Sequence, residues 1–229
     1  MSNIAIIPAR AGSKRIPDKN IFPILGKPAI AYAISTAFNS GLFSNIFVST
    51  DSPEIARISE SYGATVGRLR DSDLSGDHST TIEVISGFIN SELKPQTYPN
   101  YICCIYPVTP LLTPERLQEG FSSVIRNSGS FILAAVPAIS HPYRSFQINN
   151  QLEPIFENSR YNETRTQDLG RYFQDAGQFY WASTSLWLSQ ESILGANCKT
   201  IRLNKYEVID VDDIEDMKLV EMLLKAKKI

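Results

Sequence analysis

Cysteine is scarce in this 229-residue chain. The three cysteines are Cys103, Cys104 and Cys198. Two of them are adjacent in an apolar run, so neither a disulfide framework nor a zinc-ligand spacing is present. We expect buried free thiols in a reducing cytosol.

Long apolar runs and an excess of charge of either sign are also missing. The first apolar stretch, residues 4–7, is too short for a signal peptide, and no later run approaches a membrane span. Twenty-two Lys and Arg residues against 24 Asp and Glu residues give a formal charge of -2, which removes a general electrostatic reason to bind nucleic acid or an anionic membrane. We therefore expect a cytoplasmic protein with neither partner, in which any anion is bound locally.

The pattern of apolar residues predicts one compact domain over residues 1–229, because a chain of this length with 43% hydrophobic residues can bury one core. The predicted strands cover residues 4–7, 46–48, 65–66, 101–106, 131–136, 177–182 and 207–211. The predicted helices cover residues 28–40, 53–62, 79–93, 114–126 and 213–228. Strands that alternate with helices predict a three-layer α/β/α, Rossmann-like fold with a mainly parallel sheet.

The regular alternation stops after Pro137. We interpret residues 138–173 as an insertion, because they carry an Asn149-Asn150 pair between two extended segments. This pattern predicts a β-hairpin over residues 145–154.

The loop after the first strand is polar, and it follows the carboxyl end of a strand, where open α/β sheets bind ligands. Four cations lie within ten residues of this loop: Arg10, Lys14, Arg15 and Lys19. Gly12 and Ser13 can offer backbone amides at close approach. The alternative is a solvated basic loop, but position and glycine content favour a triphosphate site. The signatures of P-loop NTPases and of dinucleotide dehydrogenases are both missing here.

Two aspartates precede the last predicted helix. In an extended segment, Asp210 and Asp212 share one face, roughly 6.5 to 7 Å apart at their Cα atoms. Such a pair suits Mg²⁺, which takes one or two carboxylates and completes its shell with water and substrate phosphates. The alternative is that all the acids only begin the helix, a role that fits Asp213 as cap and Asp216 as its first-turn partner.

The phosphate-loop motif resembles a known family. Residues 7–14 read Ile-Pro-Ala-Arg-Ala-Gly-Ser-Lys, and Lys19-Asn20 follows after four residues, as in the CMP-sugar synthetases that activate sialic acid and its relatives. The resemblance implies CTP as substrate, with Lys19 near the phosphates, Asn20 near the nucleoside, and Asp210 and Asp212 on the metal. The implied CTP-binding residues are Arg10, Gly12, Ser13, Lys14, Asn20, Arg70 and Thr81. The implied catalytic residues are Arg10, Lys19, Asp210 and Asp212.

Two departures from the sialic acid enzymes concern the acceptor. Tyr106 stands where those enzymes have glutamine, and residues 175–181 read Asp-Ala-Gly-Gln-Phe-Tyr-Trp instead of Asn-Gly-Ala-Ile-Tyr. This form resembles the subfamily of pseudaminic acid cytidylyltransferases, which implies an acidic nine-carbon sugar as acceptor. Tyr106 lies beside that acceptor, and alternation along a strand places Gln178 and Tyr180 on one face as acceptor-side candidates.

The insertion carries further candidates, Arg165 and Gln167, in a stretch that resembles a family Arg-x-x-Leu motif. Arg165 can clamp a sugar carboxylate bidentately, although a surface salt bridge is an equal alternative. In the family this insertion reaches into a partner subunit, which implies a homodimer.

Alternative functions remain open at this point. The acceptor could be N-acetylneuraminate or Kdo, and the chain could be a non-catalytic nucleotide-binding module or, more distantly, a dehydrogenase. His78 is interpreted as an ordinary loop histidine.

Overall fold

The computed structural model describes residues 2–76 and 79–227, so the prediction for His78 lies outside the described residues. The strands are β1 (Asn3–Pro8), β2 (Pro23–Ile24), β3 (Lys27–Pro28), β4 (Asn45–Ser49), β5 (Thr65–Val66), β6 (Tyr101–Ile105), β7 (Phe131–Pro137), β8 (Phe146–Ile148), β9 (Pro154–Phe156), β10 (Phe173–Ser183) and β11 (Cys198–Arg202). The α-helices are α1 (Ala29–Ser40), α2 (Pro53–Ser61), α3 (Thr81–Glu92), α4 (Pro114–Arg126), α5 (Thr184–Leu188) and α6 (Ile214–Ala226). Short 3-10 turns cover Lys19–Ile21, Ser72–Leu74, Pro95–Thr97, Pro142–Arg144, Ser159–Tyr161, Thr166–Asp168 and Lys205–Glu207.

Within the described residues, a seven-stranded sheet has the order β11-β7-β10-β6-β1-β4-β5. Every pairing in it is parallel except those of β10, which runs antiparallel to both β6 and β7. Apolar clusters lie on both faces, with α1 and α4 on one side and α3 and α5 on the other. The predicted three-layer fold with a mainly parallel sheet is confirmed.

Local signals explain where the early elements begin and end. The Ser52 hydroxyl accepts a hydrogen bond from the amide of Ile55 at 3.3 Å, and Pro53 occupies the first turn of α2. Helix α1 ends at Gly41, whose φ of 67° is in the left-handed region that favours glycine. The predicted helix ends are confirmed there.

The prediction of a last strand over residues 207–211 is wrong. The strand beside β7 is β11, and the segment after it continues as a 3-10 turn and irregular backbone up to α6. Two apolar residues of that segment, Val208 and Val211, are buried, so its apolar character reflects burial and not strand pairing. The side chain of Glu207 accepts hydrogen bonds from the backbone and side-chain nitrogens of Asn204, which stabilises the turn in place of a strand.

Strand β10 contains a bulge that interrupts its pairing with β7. Residues 176–179 lie between the pairs Asp175 with Ala135 and Tyr180 with Leu133, so four residues lie opposite Ala134 alone. Gly177 adopts a φ of 58° inside this bulge. Bulges of this kind change the direction of side chains and are common beside active sites.

Between β7 and β10 the chain leaves the sheet, and the amide of Ala138 donates to the carbonyl of Tyr172 where it returns. Strands β8 and β9 pair antiparallel, which confirms the predicted hairpin. All six of their residues are exposed, although most are apolar. Among the described residues, no helix is both long and apolar enough to cross a bilayer.

Candidate active site

A cleft of about 520 Å³ lies where β1 and β6 end at the carboxyl edge of the sheet. Its lining brings together most of the residues predicted for nucleotide binding and catalysis. The predicted residues that line it are Arg10, Ser13, Lys14, Lys19, Asn20, Arg70, Thr81, Tyr106 and Asp210. Arg15 adds a further cation. The cleft therefore combines cations, loop backbone and one carboxylate within a volume suited to a nucleotide.

Two hydrogen bonds shape the loop that follows β1. The amide of Ala11 donates to Asp51 Oδ1 at 2.7 Å, and Asn20 Nδ2 donates to the carbonyl oxygen of Arg10 at 2.8 Å. Gly12 has a φ of 74°, which lets the loop turn between them. Sequence reasoning did not find Asp51, although it directly precedes the cap of α2. Asn20 is buried, and its amide group supports the loop.

The acidic pair lies opposite the cations of the loop. Arg15 and Asp212 form an ion pair of 2.7 Å, and Asp210 lines the cleft itself. Partial burial raises the pKa of the Asp210 carboxyl, and the charge of Asp212 raises it further. Burial also lowers the pKa of the Lys19 ammonium, while Asp212 and Asp210 oppose that change. Asp210 and Lys19 thus line the cleft together, and Asp212 lies close enough to change the pKa values of both.

Arg70 and Thr81 line the cleft away from this acidic pair. Arg70 Nε donates to Ser75 Oγ at 3.2 Å, and burial lowers the pKa of its guanidinium, which the charge of Asp51 opposes. The hydroxyl groups of Thr81 and Tyr106 share a hydrogen bond of 2.8 Å. Thr81 is the first residue of α3, where Thr80 and Glu83 form a capping box, so the helix fixes its position.

A second cavity of about 500 Å³ adjoins the cleft, and Thr81 and Tyr106 line both. Its wall includes Asp175 and Tyr180, whose hydroxyl donates to Asp175 Oδ2 at 2.5 Å. The rings of Tyr106 and Tyr180 meet edge to face with centroids 5.3 Å apart. The sequence analysis assigned no role to Asp175. The signal that was available is its position two residues before Gly177, the glycine of the bulge.

Three predicted acceptor residues lie outside both cavities. Gln178 is buried, and its Nε2 donates to the backbone oxygen of Glu207 at 2.8 Å. Arg165 and Gln167 lie in the insertion, where both are exposed. A single chain therefore does not bring these three side chains to the cleft.

The mainly parallel α/β sheet and the cation-lined cleft at its carboxyl edge are those of a nucleotidyltransferase. The chain belongs to the cytidylyltransferase family, because the model of that family matches residues 4–229. This membership confirms the predicted class of enzyme.

Curated relatives match along nearly the whole chain. The pseudaminic acid cytidylyltransferase of Campylobacter jejuni is 34% identical over 226 residues, which cover 99% of this chain and 97% of the relative. The CMP-N,N'-diacetyllegionaminic acid synthase of Legionella pneumophila is 30% identical over 235 residues, covering 100% and 98%. A solved structure of CMP:2-keto-3-deoxy-manno-octonic acid synthetase complexed with CTP matches with a TM-score of 0.74 at 18% identity, covering 100% of both chains. That last likeness concerns the fold alone.

Proposed function

We propose that this enzyme transfers CMP from CTP to pseudaminic acid and releases pyrophosphate. The observation that carries the proposal is the 34% identity, over nearly the full length of both chains, to a protein named for this activity. The departures from the sialic acid enzymes at Tyr106 and in residues 175–181 agree with it. The product would serve as a sugar donor for glycosylation of bacterial surface structures, made in the cytoplasm.

In this proposal the triphosphate of CTP lies along the loop after β1. Arg10, Lys14 and Lys19 neutralise the phosphates, and backbone amides near Gly12 and Ser13 approach them closely. Cytosine lies toward Arg70 and Thr81, whose guanidinium and hydroxyl groups can read its polar edge. Both residues are fixed by hydrogen bonds within the protein, so little ordering is needed when the base binds.

Asp210 and Asp212 are suited to hold Mg²⁺. Carboxylate oxygens are the hard donors that Mg²⁺ prefers; the pKa of Asp210 is raised first by partial burial and then by the like charge of Asp212, and a divalent cation would offset that charge. Asp210 and Asp212 would hold the ion, whose positive charge would help to stabilise the negative charge on the triphosphate. In the chain without ligands, Arg15 neutralises the Asp212 carboxylate through their ion pair.

The acceptor in this proposal occupies the cavity next to the cleft, against Tyr106, Asp175 and Tyr180. Its anomeric C2 hydroxyl attacks the α-phosphorus of CTP in line; the new P–O bond forms as the bond to pyrophosphate breaks, and the hydroxyl proton is released. Positioning by the cavity and charge neutralisation by Lys19 and Arg10 supply most of the rate enhancement. The thiols of Cys103 and Cys104 are buried in β6, and neither residue lines the cleft or the cavity.

We further propose a homodimer formed through the insertion. Apolar side chains on one face of the hairpin are open to solvent in the single chain, with Phe146 50%, Ile148 62% and Phe156 40% exposed. A contiguous apolar surface of this kind is typical of a protein interface. Docking of the insertion on a second copy would also give Arg165 and Gln167 a route to the partner's acceptor cavity.

The experiment that tests the activity is pyrophosphate release by purified enzyme with Mg²⁺ and CTP. Pseudaminic acid, N,N'-diacetyllegionaminic acid, N-acetylneuraminic acid, Kdo and a blank without sugar are compared. We expect release with pseudaminic acid at a kcat/KM at least about tenfold above the other sugars, a difference of about 1.4 kcal/mol in transition-state binding. Preferred release with another sugar would contradict the acceptor assignment, and no release with any sugar would contradict the proposed reaction.

A further inference from the structure

The segment that carries Asp210 lacks the support that a strand would give it. Residues 208–212 form no part of the sheet, because β11 occupies the position beside β7. A carboxylate that must be aligned with a reacting phosphate needs a fixed backbone, since small misplacements cost much of the rate. Other contacts must therefore hold Asp210.

The bulge of β10 supplies one such contact through Gln178. Gln178 Nε2 donates at 2.8 Å to the backbone oxygen of Glu207, three residues before Asp210. Gly177 is a neighbour of the Asp210 carboxylate in the cleft lining, since a Cβ atom built on Gly177 would lie 3.9 Å from Asp210 Oδ1. The amide of Tyr106 in turn donates to the carbonyl oxygen of Gln178 at 2.8 Å, which ties the bulge to the end of β6.

The side chain of Glu207 anchors the same point to α4. Arg116 donates to both carboxylate oxygens of Glu207, from Nε and Nη2, at 2.9 Å each. A bidentate pair of this geometry fixes orientation as well as distance. Because Arg116 also donates to Glu119, the guanidinium itself is held in place. Glu207 is therefore fixed by its side chain to α4 and by its backbone to Gln178.

We infer that Gln178 is a positioning residue, which places the Asp210 carboxylate by holding the backbone of Glu207. The sequence had indicated a direct contact of Gln178 with the acceptor, but its amide group is buried and directed at Glu207. The catalytic consequence rests on the proposed function, whereas the positioning itself is a property of the chain alone.

The test is a Gln178→Met enzyme, which keeps the side-chain length and removes the donor. Gln178 Oε1 is buried and has no partner among the described residues, so this change also removes an unpaired oxygen and leaves the fold intact. The control for loss of a side-chain bond to a backbone oxygen is Gln118→Met, because Nε2 of this exposed residue donates to the backbone oxygen of Ser40 at 2.9 Å and Gln118 lines neither cavity.

Two readouts are compared, amide hydrogen exchange and steady-state kinetics. In Gln178→Met we expect exchange in peptides covering residues 204–213 to be faster by about tenfold while the other peptides stay unchanged. We expect kcat to fall by about 10- to 100-fold, with KM for CTP within about twofold, because the loop and Arg70 are untouched. Gln118→Met should leave exchange over residues 204–213 and kcat at wild-type values.

Arg116→Lys provides an independent variant, since lysine keeps the charge but cannot bind both oxygens of Glu207 in the same fork. Faster exchange over residues 204–213 in this variant supports the inference. Wild-type exchange there in both variants would overturn it, and so would faster exchange spread evenly over the whole chain. If the wild-type enzyme acted on none of the sugars while these exchange changes appeared, the positioning would stand and the proposed function would fail.

Discussion

At the scale of single residues, Asp210 shows how a functional group can oppose stability. Partial burial and the nearby charge of Asp212 raise the pKa of its carboxyl. An acid whose pKa is raised on folding favours the folded state below its ordinary pKa, and this contribution is lost as pH rises through the raised value. At neutral pH the ionised Asp210 carboxylate is therefore unfavourable in the protein without ligands.

An Asp210→Asn variant separates activity from stability. We expect kcat to fall by at least about 100-fold, because a carboxylate at the reacting phosphates is lost. The melting temperature at pH 7 should equal or exceed that of the wild type, and any gain should shrink as pH falls through the raised pKa of Asp210, where the wild-type carboxylate takes up its proton. Calorimetry without ligands and pyrophosphate release give the two readouts. Retained activity, or a clearly lower melting temperature at pH 7, would contradict this account.

Single residues of the site were predictable only where a compact motif carried them. Residues 9–20 form one short connection after β1, so the sequence neighbours Arg10, Ser13 and Lys19 all line the cleft. Asp51 and Asp175 come from separate parts of the chain, and their roles depend on contacts that no local pattern records. Strand alternation predicted that Gln178 and Tyr180 share one face, but alternation does not continue through the bulge that contains Gln178.

At the scale of elements, the prediction worked best for buried strands and capped helices. Helix α4 was predicted with both of its observed ends, since Pro114 marks the start and the apolar spacing lasts to Arg126. Strand β11 was missed because three of its five residues are exposed and polar, as is common at a sheet edge. The buried residues Val208 and Val211 after it gave an apolar pattern like that of a strand, although their segment pairs with no strand among the described residues.

The start of α6 offers a test at this scale. Asp213 Oδ1 accepts hydrogen bonds from the amides of Glu215 and Asp216, and Asp216 Oδ2 accepts from the amides of Asp212 and Asp213. This capping box confirms the roles predicted for Asp213 and Asp216. We expect Asp213→Ala to lower the free energy of unfolding by about 1 kcal/mol, measured in urea.

The control for the cap is Glu215→Ala, which removes a first-turn acid whose carboxylate makes no capping bond among the described residues. We expect its effect to stay below about 0.5 kcal/mol, the range of a charge near a helix N-terminus. Equal losses in the two variants would mean that charge near the helix end, and not the capping bonds, stabilises α6.

At the scale of the whole molecule, the described residues of one chain contain a CTP-sized cleft but leave the insertion with an uncovered apolar hairpin. The predicted acceptor contacts Arg165 and Gln167 lie in that insertion and not at the cleft of their own chain. A dimer explains both facts together, because the same contact would cover the hairpin and deliver those side chains. CTP would then be bound by one chain alone, whereas the acceptor would be bound by residues of both chains.

A charged residue introduced into the hairpin tests the proposal that two chains bind the acceptor. We expect wild-type enzyme to have twice the 25.6 kDa chain mass by light scattering and Ile148→Glu to have the chain mass itself, because a charge in a desolvated interface is costly. Met222→Glu is the matched control: Met222 on α6 is 65% exposed against 62% for Ile148, and its variant should remain dimeric.

The monomeric Ile148→Glu enzyme should still bind CTP within about threefold of wild type, since the cleft belongs to one chain. Its sugar-dependent pyrophosphate release should fall by about 100-fold or more. A monomeric wild type, or a monomeric variant with full transfer activity, would contradict the shared acceptor site and leave Arg165 and Gln167 without a role in it.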